Sequence, residues 1–314
     1  MRRFLETLLK IAISAFLLWL ILKNTDVRTL WHYISSMNLL KYSIAVLIAF
    51  TAFVLSAIRW YIFIRAYRLN ISLLEAIKFV MIALSLGIVL PAGAGPDVIR
   101  FLYGQKKNRH MRAELLSSIF MDRFIGLTSL IFLALVGIYM GVEGLGSIKK
   151  LVWVILILFI VTLLFLLSEA FDKLMEKLFG NIQAFRIGER VRKLTKTFGM
   201  YRENKMALLF CFVVSLVMQS LFGLSVYFIA EAMDIHLDPV KSVFITASVN
   251  FITMIPITFS GVGLREGAFV FLLGEQIGKE AAVALSLIYY FTTIIAYSPG
   301  IIFFFLEPLK EKSE

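Results

Sequence analysis

Arg100 and Arg265 each stand nine positions after a proline, in PAGAGPDVIR (91–100) and PITFSGVGLR (256–265). The two stretches align without a gap, Pro91 on Pro256 and Arg100 on Arg265. A guanidinium carries a fixed charge and a fork of N–H donors that matches two oxygens of a phosphate, so the chemistry in view is anion binding. Each arginine also has an acid beside it, Asp97 before Arg100 and Glu266 directly after Arg265. Pairing within the chain, or reach toward a membrane interface, is therefore open beside capture of an outside anion. Asp122 and Arg123, in SSIFMDRFIGL, fall at the end of an apolar run, where ionisable groups are costly and often functional. Anchoring of a helix end is the other reading of that pair. Ser85 and Asn250 lie six positions before the two prolines as the polar members of otherwise apolar legs. Tyr290 and Tyr297 join Ser286 and Thr293 in a polar stripe along the last apolar run, suited to line a cavity or to bind helices together.

A proline and glycine break can position such arginines. In each stretch the break precedes a short helix, with Pro96 suited to a first helical position and Ser260 to an N-cap. A helix N-terminus presents unpaired N–H groups and a partial positive charge, and an arginine one turn along adds to both. The surrounding composition says where this happens. Of 314 residues 60% are hydrophobic, mean hydropathy is +0.87 and apolar runs recur, so lipid is the solvent for most of the chain. The basic, apolar opening MRRFLETLLKIAISAFLLWLILKN has no small-residue cleavage site before Lys23 and reads as an uncleaved first span.

Expected spans are 5–22, 41–58, 119–140, 151–168, 206–230 and 281–306, with broken segments at about 79–104 and 243–274. The apolar leg from Phe79 to Leu90 is 12 residues. As a helix it covers about 18 Å of a hydrocarbon core about 30 Å thick. Arg59, Arg65, Arg68 and Lys78 precede it, and Lys106, Lys107, Arg109 and Arg112 follow it, so both flanks belong in the cytoplasm. A hairpin that dips in and returns satisfies both constraints. Its irregular backbone would have to line a cavity. Counting onward puts Glu231, Asp234 and Asp238 outside and makes the second broken segment a hairpin of opposite entry, as an inverted repeat produces.

The fold expected is thus an all-α polytopic membrane protein, a single integral domain over 1–314 with about six full spans and two re-entrant hairpins related as an inverted repeat. It is expected in the cell membrane with both termini cytoplasmic. Residues 169–205 carry nine Lys or Arg against five acids and read either as surface helices on anionic lipid or as a solvated cytoplasmic loop. The net charge of +11 follows from such flanks, so no nucleic-acid partner is expected. Arg59 with Trp60 and Tyr61 reads as an interface anchor. Cys211, the one cysteine, reads as core packing; His32, His110 and His236 are scattered; no P-loop or GxSxG appears. No catalytic residue, metal or cofactor is expected.

On IRW at 58–60, PAGAGPDVIR, MDRFIGL, the basic amphipathic segment and SGVGLREG at 260–267, the chain resembles the lysylphosphatidylglycerol synthase transmembrane-region family, also called flippase-like membrane proteins. ITFSGVGLREG lacks the Pro-Gly of the family's Pro-Gly-Gly-x-Gly-x-x-Glu signature. The resemblance implies movement of an anionic or aminoacylated phospholipid, or a polyprenyl-phosphate-linked lipid, between leaflets. Arg100, Arg265, Asp97, Glu266, Asp122, Arg123, Ser85, Asn250, Tyr290 and Tyr297 are the candidates to hold the headgroup. Two alternatives stand beside it: a membrane-embedded transferase on a lipid phosphate with Asp97, Asp122 or Glu266 as base, and a non-catalytic membrane subunit docking a lipid-modifying enzyme. A homo-oligomer or such an enzyme is the protein partner to look for.

Overall fold

The computed structural model describes residues 25–87, 95–141, 205–255, 257–258 and 260–307, with scattered positions between 12 and 23 and between 150 and 177. The expected spans 5–22 and 151–168 and the segment 169–205 fall largely outside these residues. So do Pro91 and Pro256. The described elements are helices: α1 (Val27–Ser35), α2 (Leu39–Ala66), α3 (Leu73–Gly87), α4 (Gly95–Lys107) and α5 (Arg112–Tyr139), then α6 (Lys205–Ala232), α7 (Pro239–Thr253), α8 (Leu264–Ile277), α9 (Lys279–Tyr297) and α10 (Pro299–Leu306). Local sequence sets their starts. The Asp26 carboxylate accepts from the Arg28 N–H, the Asn38 side chain from Leu40 and Lys41, and Asp238 from Lys241 just ahead of Pro239.

Among the described residues four helices are long and apolar enough to cross a membrane: α2, α5, α6 and the α9–α10 run from Lys279 to Leu306. They match the expected spans at 41–58, 119–140, 206–230 and 281–306. With the family found below, they make this a multi-pass helical membrane protein. α2 and α6 form the most extensive helix contact. Ala45, Ala49 and Ala52 present a small-residue face that is fully buried, and Ser225 Oγ donates to the Ala45 carbonyl at 2.9 Å. The helices run antiparallel, because Asn38 N–H at the start of α2 donates to Ala232 O at 2.8 Å and Lys41 meets Glu231 at 3.0 Å.

Two shorter pairs, α3–α4 and α7–α8, pack between the long helices. α3 leaves the C-terminal end of α2, and α4 leads straight into α5 with Asn70 N–H bound to Asn108 Oδ1 at 2.9 Å. α7 instead leaves the C-terminal end of α6, which is the start of α2, and α8 leads into α9 through Gly278. The pairs therefore open toward opposite ends of the bundle. Each half has its own apolar core, one around Trp60, Phe63, Phe79 and Leu115, the other around Val226, Phe269, Leu285 and Ile229.

At the end where α3 starts, Lys78 pairs with Glu307 and Lys107 with Glu75. Burial pushes the Glu75 carboxyl up, but the Lys107 ammonium and the Ser72 N–H and hydroxyl outweigh it and hold it below its ordinary value. Glycines let helices touch closely. A Cβ on Gly87 would meet the Pro96 ring at 2.5 Å, and one on Gly300 would meet the Met81 carbonyl oxygen at 2.1 Å.

Candidate functional site

Three arginines and two aspartates from three helices form one connected cluster. Arg59, 21st of the 28 residues of α2, points inward with 5% of its surface exposed. Its Nε donates to Asp122 Oδ1 at 2.7 Å, and one terminal nitrogen donates to Ser215 Oγ of α6 at 2.7 Å. Arg100 of α4 donates to the other Asp122 oxygen at 2.9 Å and to Asp97 Oδ1. Arg123 donates from Nε to Asp97 Oδ2 at 2.8 Å. The Arg100 guanidinium lies 5.2 Å from the ring centre of Trp60, whose Nε1 donates to Ser118 Oγ at 3.2 Å.

Close packing keeps the cluster in place. Gly126 faces Arg59, where a Cβ would stand 3.2 Å from a guanidinium nitrogen. Ser129 and Ser215 share a 2.7 Å hydrogen bond behind it. The charges do not cancel: three arginines against two aspartates leave +1. A pocket of about 110 Å³ opens beside them, lined by Ser56, Arg59, Pro96, Arg100, Asp122 and Arg123 with Val80, Ala83 and Leu84 of α3. Uncompensated positive charge against an apolar wall attracts an anion more strongly than the same charge in water.

The second arginine has a different setting. Arg265 is the second residue of α8 and half-buried. One terminal nitrogen donates to the Ser260 carbonyl at 3.2 Å; the other is buried without a hydrogen-bond partner. Its guanidinium stacks over Tyr290 at 4.5 Å. The turn before α8 places Ser260, Gly261 and Gly263 in the left-handed region, at φ 55°, 77° and 86°. Ser260 is not the N-cap. Gly263 holds that position, and Glu266 reaches back to its N–H at 2.5 Å while Ser286 Oγ donates to the other Glu266 oxygen at 3.3 Å. Glu266 is thus a buried cap, not the partner of Arg265.

The remaining candidates divide. Ser85 Oγ donates to the Tyr297 carbonyl at 2.6 Å, where Pro299 interrupts the last helix. Asn250 and Tyr289 exchange a hydrogen bond of 3.3 Å. Tyr290 carries Arg265, whereas the Tyr297 ring packs edge-on against Phe53 at 5.3 Å. Arg100, Asp97, Asp122 and Arg123 come together in one place. Ser85, Asn250, Glu266 and Tyr297 have structural partners. Among the described residues no three His, Cys, Asp or Glu side chains gather to hold a metal ion.

Residues 7–299 match the lysylphosphatidylglycerol synthase TM region. The chain belongs to that family. It is also 28% identical over 246 residues, 71% of this chain and 97% of the relative, to the UPF0104 membrane protein MJ1078 of Methanocaldococcus jannaschii. In this member of the family, sequence reasoning missed Arg59. Its neighbours Trp60 and Tyr61 resemble an aromatic interface belt, yet Trp60 is fully buried and Arg59 is the inner anchor of the cluster. The available signal was an arginine eight residues inside a long apolar helix, where a buried counter-charge is required. Ser215, which completes the arginine's bonding, carries no such signal.

Proposed function

We propose that the protein is a lipid translocase that carries an anionic or aminoacylated phospholipid, or a polyprenyl-phosphate-linked lipid, between leaflets. The buried cluster with its excess of one positive charge, lining a pocket, carries this reading. The pocket has room for a headgroup phosphate but not for acyl chains, which would stay in the bilayer. Arg265, with a buried nitrogen free of hydrogen bonds and Tyr290 beneath it, offers a second station in the other half. The helices of the two short pairs have 13 to 15 residues. They reach about 22 Å, so in this reading they are re-entrant and enter from opposite membrane faces. With spans at 5–22 and 151–168 the chain crosses six times, both termini in the cytoplasm. Membership of a family named for a lysylphosphatidylglycerol synthase region supports a lipid substrate.

A transferase using Asp97, Asp122 or Glu266 as base has less support. Both oxygens of each aspartate are engaged by arginines, and those of Glu266 by the helix cap and Ser286. The deciding experiment is leaflet-resolved lipid transport in proteoliposomes across a panel of headgroups. Transport of phosphate-bearing anionic lipids above the empty-vesicle rate is expected. Transport of none of them, or consumption of a donor molecule by purified protein, would remove this reading.

A further inference from the structure

The five charged side chains of the cluster are not equally held. Asp122, Arg59 and Arg100 have side chains 3%, 6% and 6% exposed, whereas Asp97 is 24% and Arg123 40% exposed. Arg59, Arg100 and Asp122 form the buried part of the pocket lining with the more exposed Arg123, and Asp97 stands beside that lining, bound to Arg100 and Arg123. Asp97 there offers two oxygens sharing one charge, one to Arg100 and one to Arg123, which come from different helices. A phosphodiester offers the same pattern, two free oxygens sharing one charge. We infer that Asp97 is a resident counter-anion: it occupies the phosphodiester position in the empty protein and is displaced by the ligand's phosphate on entry.

The exchange conserves charge. With Asp97 in place the cluster is +1; with Asp97 swung out it is three arginines against Asp122, or +2; a bound monoanion restores +1. Arg100 does not lose its position in the process, because its second nitrogen stays on Asp122 at 2.9 Å and its guanidinium over Trp60. What opens is one Arg100 nitrogen and Arg123 Nε, two donors aimed at one place. Without a replacement anion, those donors would be left near the apolar wall uncompensated, which disfavours the open cluster. An uncharged headgroup therefore has nothing to exchange for Asp97. The residue acts as a specificity element of the proposed phosphate site and rests on that reading.

The test measures binding to the purified full-length protein in detergent, with dioctanoyl phosphatidylglycerol, dimethyl phosphate and dioctanoylglycerol as probes. Removing the competing carboxylate in Asp97→Asn should tighten dioctanoyl phosphatidylglycerol by about tenfold, the scale of one charge-assisted hydrogen bond. Asp97→Glu, which keeps the charge, should stay within about twofold of the parent, and Arg123→Gln added to Asp97→Asn should cancel the gain. Dioctanoylglycerol should be indifferent throughout. An equal gain for dimethyl phosphate points to the phosphodiester alone, and a gain confined to the lipid to the headgroup with its chains; both support the exchange. Asp97→Ser serves as the second neutral variant if Asp97→Asn fails to fold. Neutral variants that bind the phosphodiester no better than the parent, in protein of parental melting temperature, overturn the counter-anion role and leave the translocase reading standing. Absence of any phosphodiester binding and of transport in every form overturns the reading itself along with it.

Discussion

Asp122 serves two arginines at once, and its removal tests how much the cluster contributes to stability. Asp122→Ala leaves Arg59 and Arg100 buried with one fewer counter-charge, for which a loss of about 3–5 kcal/mol is expected, read as a fall in melting temperature of the detergent-solubilised protein. Unchanged unfolding would mean that the pair is solvated. Arg100→Ala strikes the same network, so a loss of transport there mixes folding with binding; the sequence leaves pairing with Asp97 open but does not indicate the second partner, Asp122. Arg265 is the cleaner probe, because its guanidinium makes one hydrogen bond to a carbonyl and otherwise stacks on Tyr290. Arg265→Ala should lower translocation by about tenfold at an unchanged melting temperature, with Lys restoring part of it by returning the charge without the planar fork. Full transport by Arg265→Ala would take the second station out of the mechanism. Asp122 and Arg123 are legible in the sequence as ionisable groups in an apolar run. Their partners are not: Arg59 lies 63 positions from Asp122, and nothing local records that pairing.

At the scale of elements, helix ends and breaks follow local chemistry while helix contacts do not. Asp26, Asn38 and Asp238 are cap residues by type and position, and Gly263 with Glu266 three positions on is a capping box readable in hindsight. Pro299 and Gly300 suggest a kink, and α9 does end at Tyr297. The Ile301 N–H turns to Ser298 at 2.9 Å, and Ser85 from α3 bonds the Tyr297 carbonyl instead. Gly300 makes that contact possible. Its missing Cβ would stand 2.1 Å from Met81 O and 2.5 Å from Ser85 Oγ, so Gly300→Ala must push α10 from α3. Overpacking of this kind costs about 1–3 kcal/mol. Gly267, in α8, has no atom within 4 Å of a built Cβ, so Gly267→Ala should instead be neutral or stabilise by up to about 1 kcal/mol. Thermal unfolding of the two variants side by side checks both signs; equal effects would show that the close approach of α3 and α10 is not a constraint.

Over the whole molecule, the balance of basic and acidic flanks gives the relation between the halves before any contact is known. Arg65, Arg68, Arg109 and Arg112 gather where α3–α4 opens, and Glu231, Asp234 and Asp238 where α7–α8 opens. The same opposition emerges from packing, through the antiparallel join of α2 to α6. Hydrophobic periodicity alone could not deliver it, because helices of only 13 to 15 residues with apolar faces look alike whether they enter lipid or fill a core. The proposed topology can be tested on the intact chain, since Cys211 is its one cysteine and is fully buried. Single cysteines at Asn70 and Arg109, both exposed, flank the hydrogen bond from Asn70 N–H to Asn108 and should react with an impermeant maleimide from the same membrane face. A cysteine at His236, exposed beyond the end of α6, should react from the other. If α3 and α4 together made one crossing, positions 70 and 109 would label from opposite faces, the hydrogen bond joining their loops could not persist in the membrane, and the charge-derived orientation of every helix after α4 would reverse. Labelling of 70 and 109 from the cytoplasmic face with 236 from outside is the outcome that six crossings and two oppositely entering hairpins require.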